Sequence, residues 1–90
     1  MIHLILYSKP GCHLCEGLQE KLEPLLAKGF TLEVRDITER PEWWHAYAYE
    51  VPVLHMVMGD TRLEVPRFSP RMSSTQIEQR LQQFALEVGH

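Results

Sequence analysis

The stretch YSKPGCHLC, residues 7–15, places two cysteines three positions apart between two predicted elements of regular structure. Before it, residues 2–7 form a nearly continuous apolar run, which is typical of a strand covered on both faces. Residues 8–11 contain proline and glycine, which end the strand. After it, leucines at three- and four-residue spacing predict a helix: Leu14, Leu18, Leu22, Leu25 and Leu26. We therefore expect Cys12 in a tight loop and Cys15 in the first helical turn.

This helix and the residues after it predict one βαβ unit. Pro24 lacks a backbone donor, so we expect the helix to kink or break there, and Lys28-Gly29 supplies a cation in the last turn and a C-terminal cap. Residues 30–36 alternate apolar and polar, which indicates a strand at a sheet edge. A right-handed crossover makes this strand parallel to the first, so the cysteine loop lies at the carboxyl edge of the sheet.

Proline and glycine also mark the limits of the next elements. A second helix is predicted over about residues 39–49, with Thr38 able to cap it and Pro52 ending it. Gly59-Asp60 supplies the positive φ angles of a tight hairpin between two antiparallel strands, residues 53–57 and 62–65.

The last predicted element is a helix that covers the sheet. Ser73 and Gln76 match the S-x-x-Q capping box, and an apolar stripe follows them: Ile77, Leu81, Phe84, Ala85 and Val88. The order β-α-β-α-β-β-α predicts an α/β fold, with a four-stranded mixed sheet flanked by helices.

The composition favours one small globular domain over residues 1–90, with 44% apolar and 23% charged residues. A net charge of -3 and scattered basic residues argue against nucleic acid as a partner. The first residues lack a basic segment and a cleavage site, and their apolar run is shorter than the ~20 residues of a membrane span. We therefore expect a cytoplasmic monomer without a membrane partner.

Three roles compete for the cysteine pair. A structural disulfide is disfavoured, because the cytosol keeps thiols reduced and a bridge over so short a loop stabilises little. A zinc site would need two histidines besides the cysteines, but the sequence has no second C-x-x-C and no H-x(3-5)-H spacing among His3, His13, His45, His55 and His90. A C-x-x-C motif beside a βαβ unit instead predicts a redox site.

The predicted placement gives the two cysteines unequal roles. Backbone N–H groups of the first helical turn have no helical partners and favour the Cys12 thiolate, so we expect its pKa to be lowered. Cys15, one turn on, can attack a mixed disulfide on Cys12. We therefore predict a thiol-disulfide oxidoreductase in which Cys12 attacks and Cys15 resolves. Its substrate would be a disulfide in a protein or a low-molecular-weight thiol, and a reductase or a thiol would donate electrons.

Two segments resemble glutaredoxins: Tyr7-Ser8-Lys9-Pro10-Gly11-Cys12 followed by x-x-Cys15, and Glu50-Val51-Pro52-Val53-Leu54, which is similar to their threonine-valine-proline segment. The resemblance implies a thioredoxin fold in which Pro52 is cis and faces Cys12. It also implies that the backbone of Val51 pairs with an extended substrate. Lys9 matches the lysine that glutaredoxins place near the glutathione carboxylate.

The chain departs from the glutaredoxin pattern at two places. His13-Leu14 stands between the cysteines, where glutaredoxins usually carry proline and tyrosine. No double glycine with aspartate lies between Pro66 and Ser74, where glutaredoxins hold the γ-glutamyl end of glutathione. We therefore expect no cofactor and only weak glutathione binding. The chain looks closer to small glutaredoxin-like proteins with leucine before the second cysteine.

Other functions stay open beside the redox interpretation. The same cysteines could hold zinc, or Cys12 from two subunits could hold an iron-sulfur cluster with glutathione, although the missing double glycine argues against the latter. The fold could also serve as a redox-inactive binding module.

Several residues have a structural and a functional interpretation. His13, if cationic, would stabilise the Cys12 thiolate, or it is a solvated loop residue. Asp36 could assist proton transfer from Cys15, but a cap at the strand end is favoured. Helical spacing puts Trp44 on one face with Tyr47 and Ala48, where core packing is favoured. Trp43 and Trp44 cannot both point inward, so one of them is expected to be exposed.

Overall fold

The computed structural model describes residues 2–88. The strands are β1 (Ile2–Ser8), β2 (Phe30–Asp36), β3 (Val53–Met58) and β4 (Thr61–Glu64). The α-helices are α1 (His13–Leu22), α2 (Pro41–Tyr47) and α3 (Ser74–Val88), and two 3-10 segments cover Glu23–Lys28 and Ile37–Glu39. The predicted order β-α-β-α-β-β-α is confirmed.

The four strands form one mixed sheet in the order β2-β1-β3-β4. β1 pairs in parallel with β2 and antiparallel with β3, and β3 pairs antiparallel with β4. Because β1 is central and covered on both faces, four consecutive side chains, Leu4 to Tyr7, are buried. β2 lies at an edge, as its alternating sequence predicts.

Helices cover the two faces of the sheet unequally. On one face, β1 and β3 contribute Leu4, Leu6, Leu54 and Met56, which pack with residues of α1, α3 and the first 3-10 segment: Leu22, Leu25, Ile77 and Leu81. On the other face, Ile5, Tyr7, Ile37 and Val53 pack with Trp43 and Tyr47 of α2. Since α2 has only seven residues, it covers only part of this second face.

Pro24 breaks the first helix rather than kinking it. α1 ends at Leu22, and Pro24 lies in the first turn of the 3-10 segment that follows. The segment ends at Gly29, whose φ of 89° is the left-handed conformation expected of a glycine cap. The break turns Leu25 into the core and leaves Leu26 exposed.

The prediction for the second helix is wrong in two details. Thr38 does not cap α2, because Pro41 starts the helix after Arg40, which makes no side-chain cap bond. Trp44 is 44% exposed, whereas Trp43 packs against the buried cluster with Tyr47. The helix starts two residues later than predicted, and its orientation on the sheet turns Trp43 inward.

The hairpin and the last helix form, but of the two predicted turn residues only Gly59, and not Asp60, has a positive φ angle. Gly59, with a φ of 59°, lies in the turn between β3 and β4. Gln76 N donates to Ser73 Oγ at 3.1 Å and Ser73 N donates to Gln76 Oε1 at 2.9 Å, which completes the capping box of α3. Within residues 2–88, no helix is both long and apolar enough to cross a membrane.

Candidate active site

The two cysteines lie at the N-terminus of α1 at disulfide distance, with their Cα atoms 5.2 Å apart. Cys12 is the N-cap residue, and its Sγ accepts a hydrogen bond from Cys15 N at 3.2 Å. Cys12 is half-buried, whereas Cys15 is 2% exposed. A backbone donor and the positive end of the helix therefore act on the more accessible sulfur.

The loop before Cys12 is a tight turn. Cys12 N donates to Lys9 O at 3.3 Å, and Gly11 in between has a φ of 78°. An L-residue rarely adopts this conformation, so glycine permits the turn that brings Cys12 to the helix start.

The Val51-Pro52 peptide bond is cis, as the family resemblance implies. Val51 N donates to Tyr47 O at 3.1 Å, which continues the backbone bonding at the end of α2. The Val51 N–H group is thus already used, so only the carbonyl could pair with a substrate while this bond is kept.

Lys9 connects the cysteine loop to the end of α2. Its Nζ donates to Ala48 O at 2.9 Å and lies 5.8 Å from the ring centroid of Trp44. A cation at the C-terminus of a helix meets carbonyl groups that lack helical partners. The structure therefore places Lys9 beside the cysteines but gives its ammonium group two intramolecular contacts.

His13 is the first residue of α1, and its side chain is 95% exposed. Its Nδ1 lies 3.8 Å from Glu16 Oε2, one turn along the helix. The exposed ring is thus directed toward a carboxylate on the outer surface.

A groove of about 610 Å³ is lined by His13 and Leu14, the two residues between the cysteines, whereas neither cysteine is among its lining residues. Its walls come from the first turns of α1, the end of α2, the cis-Pro52 segment and residues 64–70. Arg67 donates to Glu50 O and its guanidinium lies 3.6 Å from the Glu50 carboxylate. Lys21 Nζ donates to Pro70 O at 2.5 Å. These contacts hold the segment after β4 against both sides of the groove.

Asp36 is a cap at the end of β2, as its favoured interpretation predicts. Its Oδ1 accepts from Thr38 N at 2.9 Å and from Thr38 Oγ1 at 2.6 Å. These two hydrogen bonds hold the pKa of Asp36 below its ordinary value. Thr38 thus bonds Asp36 at the start of the second 3-10 segment instead of capping α2.

The zinc alternative requires a set of ligands that the described part of the chain does not bring together. Within residues 2–88, no three side chains of histidine, cysteine, aspartate or glutamate are grouped to hold a metal. One candidate ligand, His90, lies outside the described residues.

The sequence missed a polar cluster on the face covered by α2. Tyr7 Oη accepts from Arg35 Nη1 at 2.9 Å and also from Arg62, and Arg62 Nε donates to His55 Nδ1 at 2.9 Å. Burial and the nearby Arg62 cation hold the pKa of His55 below its ordinary value. One sequence signal for this cluster was available: the alternation of side chains along β2 puts Arg35 on the same face of the sheet as Glu33.

Comparison with known proteins identifies the family of this chain. A family profile, Glutaredoxin-like domain (DUF836), matches residues 3–82. The curated proteins contain no match.

Solved structures show the fold. XcR50 from X. campestris, a structural genomics target, superposes with a TM-score of 0.60 at 29% identity, covering 89% of this chain and 96% of that one. Thioredoxin 1 from Thermosipho africanus TCF52B gives 0.64 at 18% identity, covering 97% of each chain. A malarial protein gives 0.68 at 13% identity, covering 92% and 96%. The chain has the thioredoxin fold, and it belongs to the Glutaredoxin-like domain (DUF836) family.

Proposed function

We propose that this protein is a thiol-disulfide oxidoreductase in which Cys12 is the nucleophile and Cys15 the resolving residue. The observation that carries the proposal is the unequal placement of the two sulfurs. Cys12 caps the helix and accepts a backbone hydrogen bond, whereas Cys15 is 2% exposed. The first can meet a substrate disulfide as a stabilised thiolate, and the second can reach only Cys12.

The reaction proceeds in two exchange steps. The Cys12 thiolate attacks one sulfur of the substrate disulfide, that disulfide bond breaks, and the released thiolate takes a proton from solvent. Cys15, as a thiolate, then attacks Cys12 Sγ in the mixed disulfide and releases the second substrate sulfur as a thiol. The substrate gains two electrons and two protons, and the protein leaves with a Cys12–Cys15 disulfide. A donor dithiol, or two thiols, returns the pair to its reduced state.

Substrate binding is assigned to residues around the groove. The carbonyl of Val51 pairs with the backbone of an extended substrate, and Pro52 lines the groove beside it. His13 lies at its rim. Lys9 supports the site through Ala48 and Trp44, which leaves it less available for the glutathione carboxylate that the resemblance assigns to it. These contacts favour a protein substrate over free glutathione.

Single cysteine variants test the proposal with a small aromatic disulfide as substrate. Cys12→Ser should abolish exchange, because an alcohol has no accessible anion near neutral pH. Cys15→Ser should react with one equivalent and stay covalently attached, seen as a mass increase that dithiothreitol removes. The double variant is the matched control and should show no mass increase. Turnover by Cys12→Ser at the wild-type rate would contradict the proposed roles.

A further inference from the structure

Two arginines from opposite edges of the sheet meet at one buried tyrosine. Arg35 lies on β2 and Arg62 on β4, with β1 and β3 between them, a separation of about 14 Å at ordinary strand spacing. Both guanidinium groups donate to Tyr7 Oη, and their carbon atoms lie 5.6 and 5.8 Å from the Tyr7 ring centroid. Tyr7 itself is 2% exposed. The side chains therefore run along the face that α2 covers in part, and they converge on Tyr7, which packs against Trp43 and Tyr47 of α2.

The charges of this cluster are incompletely paired. Arg35 donates to the Glu33 carboxylate. Within residues 2–88, by contrast, Arg62 has no carboxylate oxygen within 4.0 Å, including that of Glu64 on the same face of β4. Within the described residues, its guanidinium group donates to the Tyr7 hydroxyl and to His55 Nδ1. Since Nδ1 accepts this bond, the His55 ring is neutral, and Arg62 lies among neutral acceptors.

The hydrogen bonds that Tyr7 accepts leave the hydrogen of its own hydroxyl group without an acceptor among the described residues. A tyrosine hydroxyl has two acceptor positions and one hydrogen. Both acceptor positions receive guanidinium donors, and no group in the described part of the chain accepts the hydroxyl hydrogen. Two like charges bonded to one oxygen lie within about 6 Å of each other, and a neutral oxygen compensates their repulsion poorly.

We propose that Tyr7, Arg35 and Arg62 form a binding site for a phosphate group, separate from the cysteine pair. A phosphate offers several acceptor oxygens to both guanidinium groups, and its charge would balance Arg62, which lacks the carboxylate partner that Glu33 gives Arg35. Arg62 is exposed and the Arg35 side chain is 23% exposed, so the site opens to solvent. Because the protein as a whole carries a net charge of -3, the attraction for a phosphate comes from this cluster and not from the overall charge.

A neighbouring tryptophan offers a direct readout. The guanidinium carbons of Arg35 and Arg40 lie 5.2 and 5.3 Å from the ring centroid of Trp43. The chain has two tryptophans, so a Trp44→Phe background leaves Trp43 as the single indole emitter. A phosphate that changes the position of Arg35 should change Trp43 emission.

The test is a titration of the oxidised Trp44→Phe protein with inorganic phosphate at constant ionic strength, with chloride as the compensating ion. We expect a saturable change in emission. Arg62→Gln should weaken binding at least tenfold, whereas Arg80→Gln, the same charge change at an exposed position on α3, should keep it. A parallel titration with glycerol phosphate identifies the source: tighter binding than inorganic phosphate indicates a phosphate on an organic molecule, and equal binding indicates the free ion.

Three results would overturn the proposal: a linear response that chloride reproduces, unchanged affinity in Arg62→Gln, or equal losses in Arg62→Gln and Arg80→Gln. If Arg62→Gln fails to fold, by far-ultraviolet circular dichroism, Arg62→Lys replaces it. That variant keeps the charge but loses the fork of donors, so its affinity should fall while its fold is kept. Affinity equal to that of the wild type in a folded Arg62→Lys would also contradict the site.

Discussion

Replacing Lys9 with methionine tests whether its ammonium group holds the cysteine loop against the end of α2. Methionine keeps the length and apolar character of the stem but removes the hydrogen bond to Ala48 O and the contact with the Trp44 ring. A hydrogen bond from a charged group contributes about 1.5–3 kcal/mol, and a cation–π contact at an exposed ring about 0.5–1 kcal/mol.

Two effects reduce this sum. Holding the Lys9 side chain in place costs as much as about 1.5–2 kcal/mol of rotamer freedom in the wild type, and this cost is relieved when the contacts are lost. The freed carbonyl at the helix end can also bind water. We therefore expect Lys9→Met to lower the free energy of unfolding by about 1–2 kcal/mol. For a domain of this size, the melting temperature should fall by roughly 5–15 °C.

Urea denaturation of the oxidised protein, followed by far-ultraviolet circular dichroism, measures this effect. Lys28→Met is the matched control: Lys28 is exposed, and its replacement should change stability by less than about 0.5 kcal/mol. A double-mutant cycle with Trp44→Leu should show a coupling of about 0.5 kcal/mol. If Lys9→Met lowers stability no more than Lys28→Met, the Lys9 ammonium group makes no stabilising contact within the protein. It would then be free to bind a glutathione carboxylate, contrary to the proposed role.

Three further predictions concern the thiols, glutathione and pH. In the reduced protein, alkylation over a pH series should find Cys12 with a pKa below the free value of ~8.5 and Cys15 far less reactive; a readily alkylated Cys15 alone would mean that the helix start is misassigned. Titration of the oxidised protein with glutathione should show no saturable binding at micromolar concentration, since Arg67 bonds Glu50 and residues 66–74 lack the double glycine and aspartate of glutaredoxins. Saturation there would indicate that Arg67 turns to the ligand. Because the pKa of His55 is lowered in the folded state, the unfolded chain binds its proton first as the pH falls through about 6.5, so stability should decrease on acidification below this value. His55→Gln should flatten that dependence in urea unfolding between pH 7 and 5, and an unchanged slope would assign it to another group.

The sequence determines the elements whose signals are local. The C-x-x-C motif follows a strand and starts a helix, Gly59 allows the hairpin turn, and Ser73 and Gln76 cap the last helix. Each of these signals spans at most a few residues, and the backbone geometry that it requires is the same in any protein. The fold class and the unequal placement of the cysteines could therefore be predicted.

The tertiary structure decides which distant side chains meet. Lys9 bonds a carbonyl 39 positions away, and Tyr7 receives arginines 28 and 55 positions away. Trp43 rather than Trp44 packs inward, because the start of α2 and its orientation on the sheet rotate the helix. Such contacts depend on strand register and on how each helix lies against the sheet, which result from packing of the whole core and leave no periodic signal in the sequence.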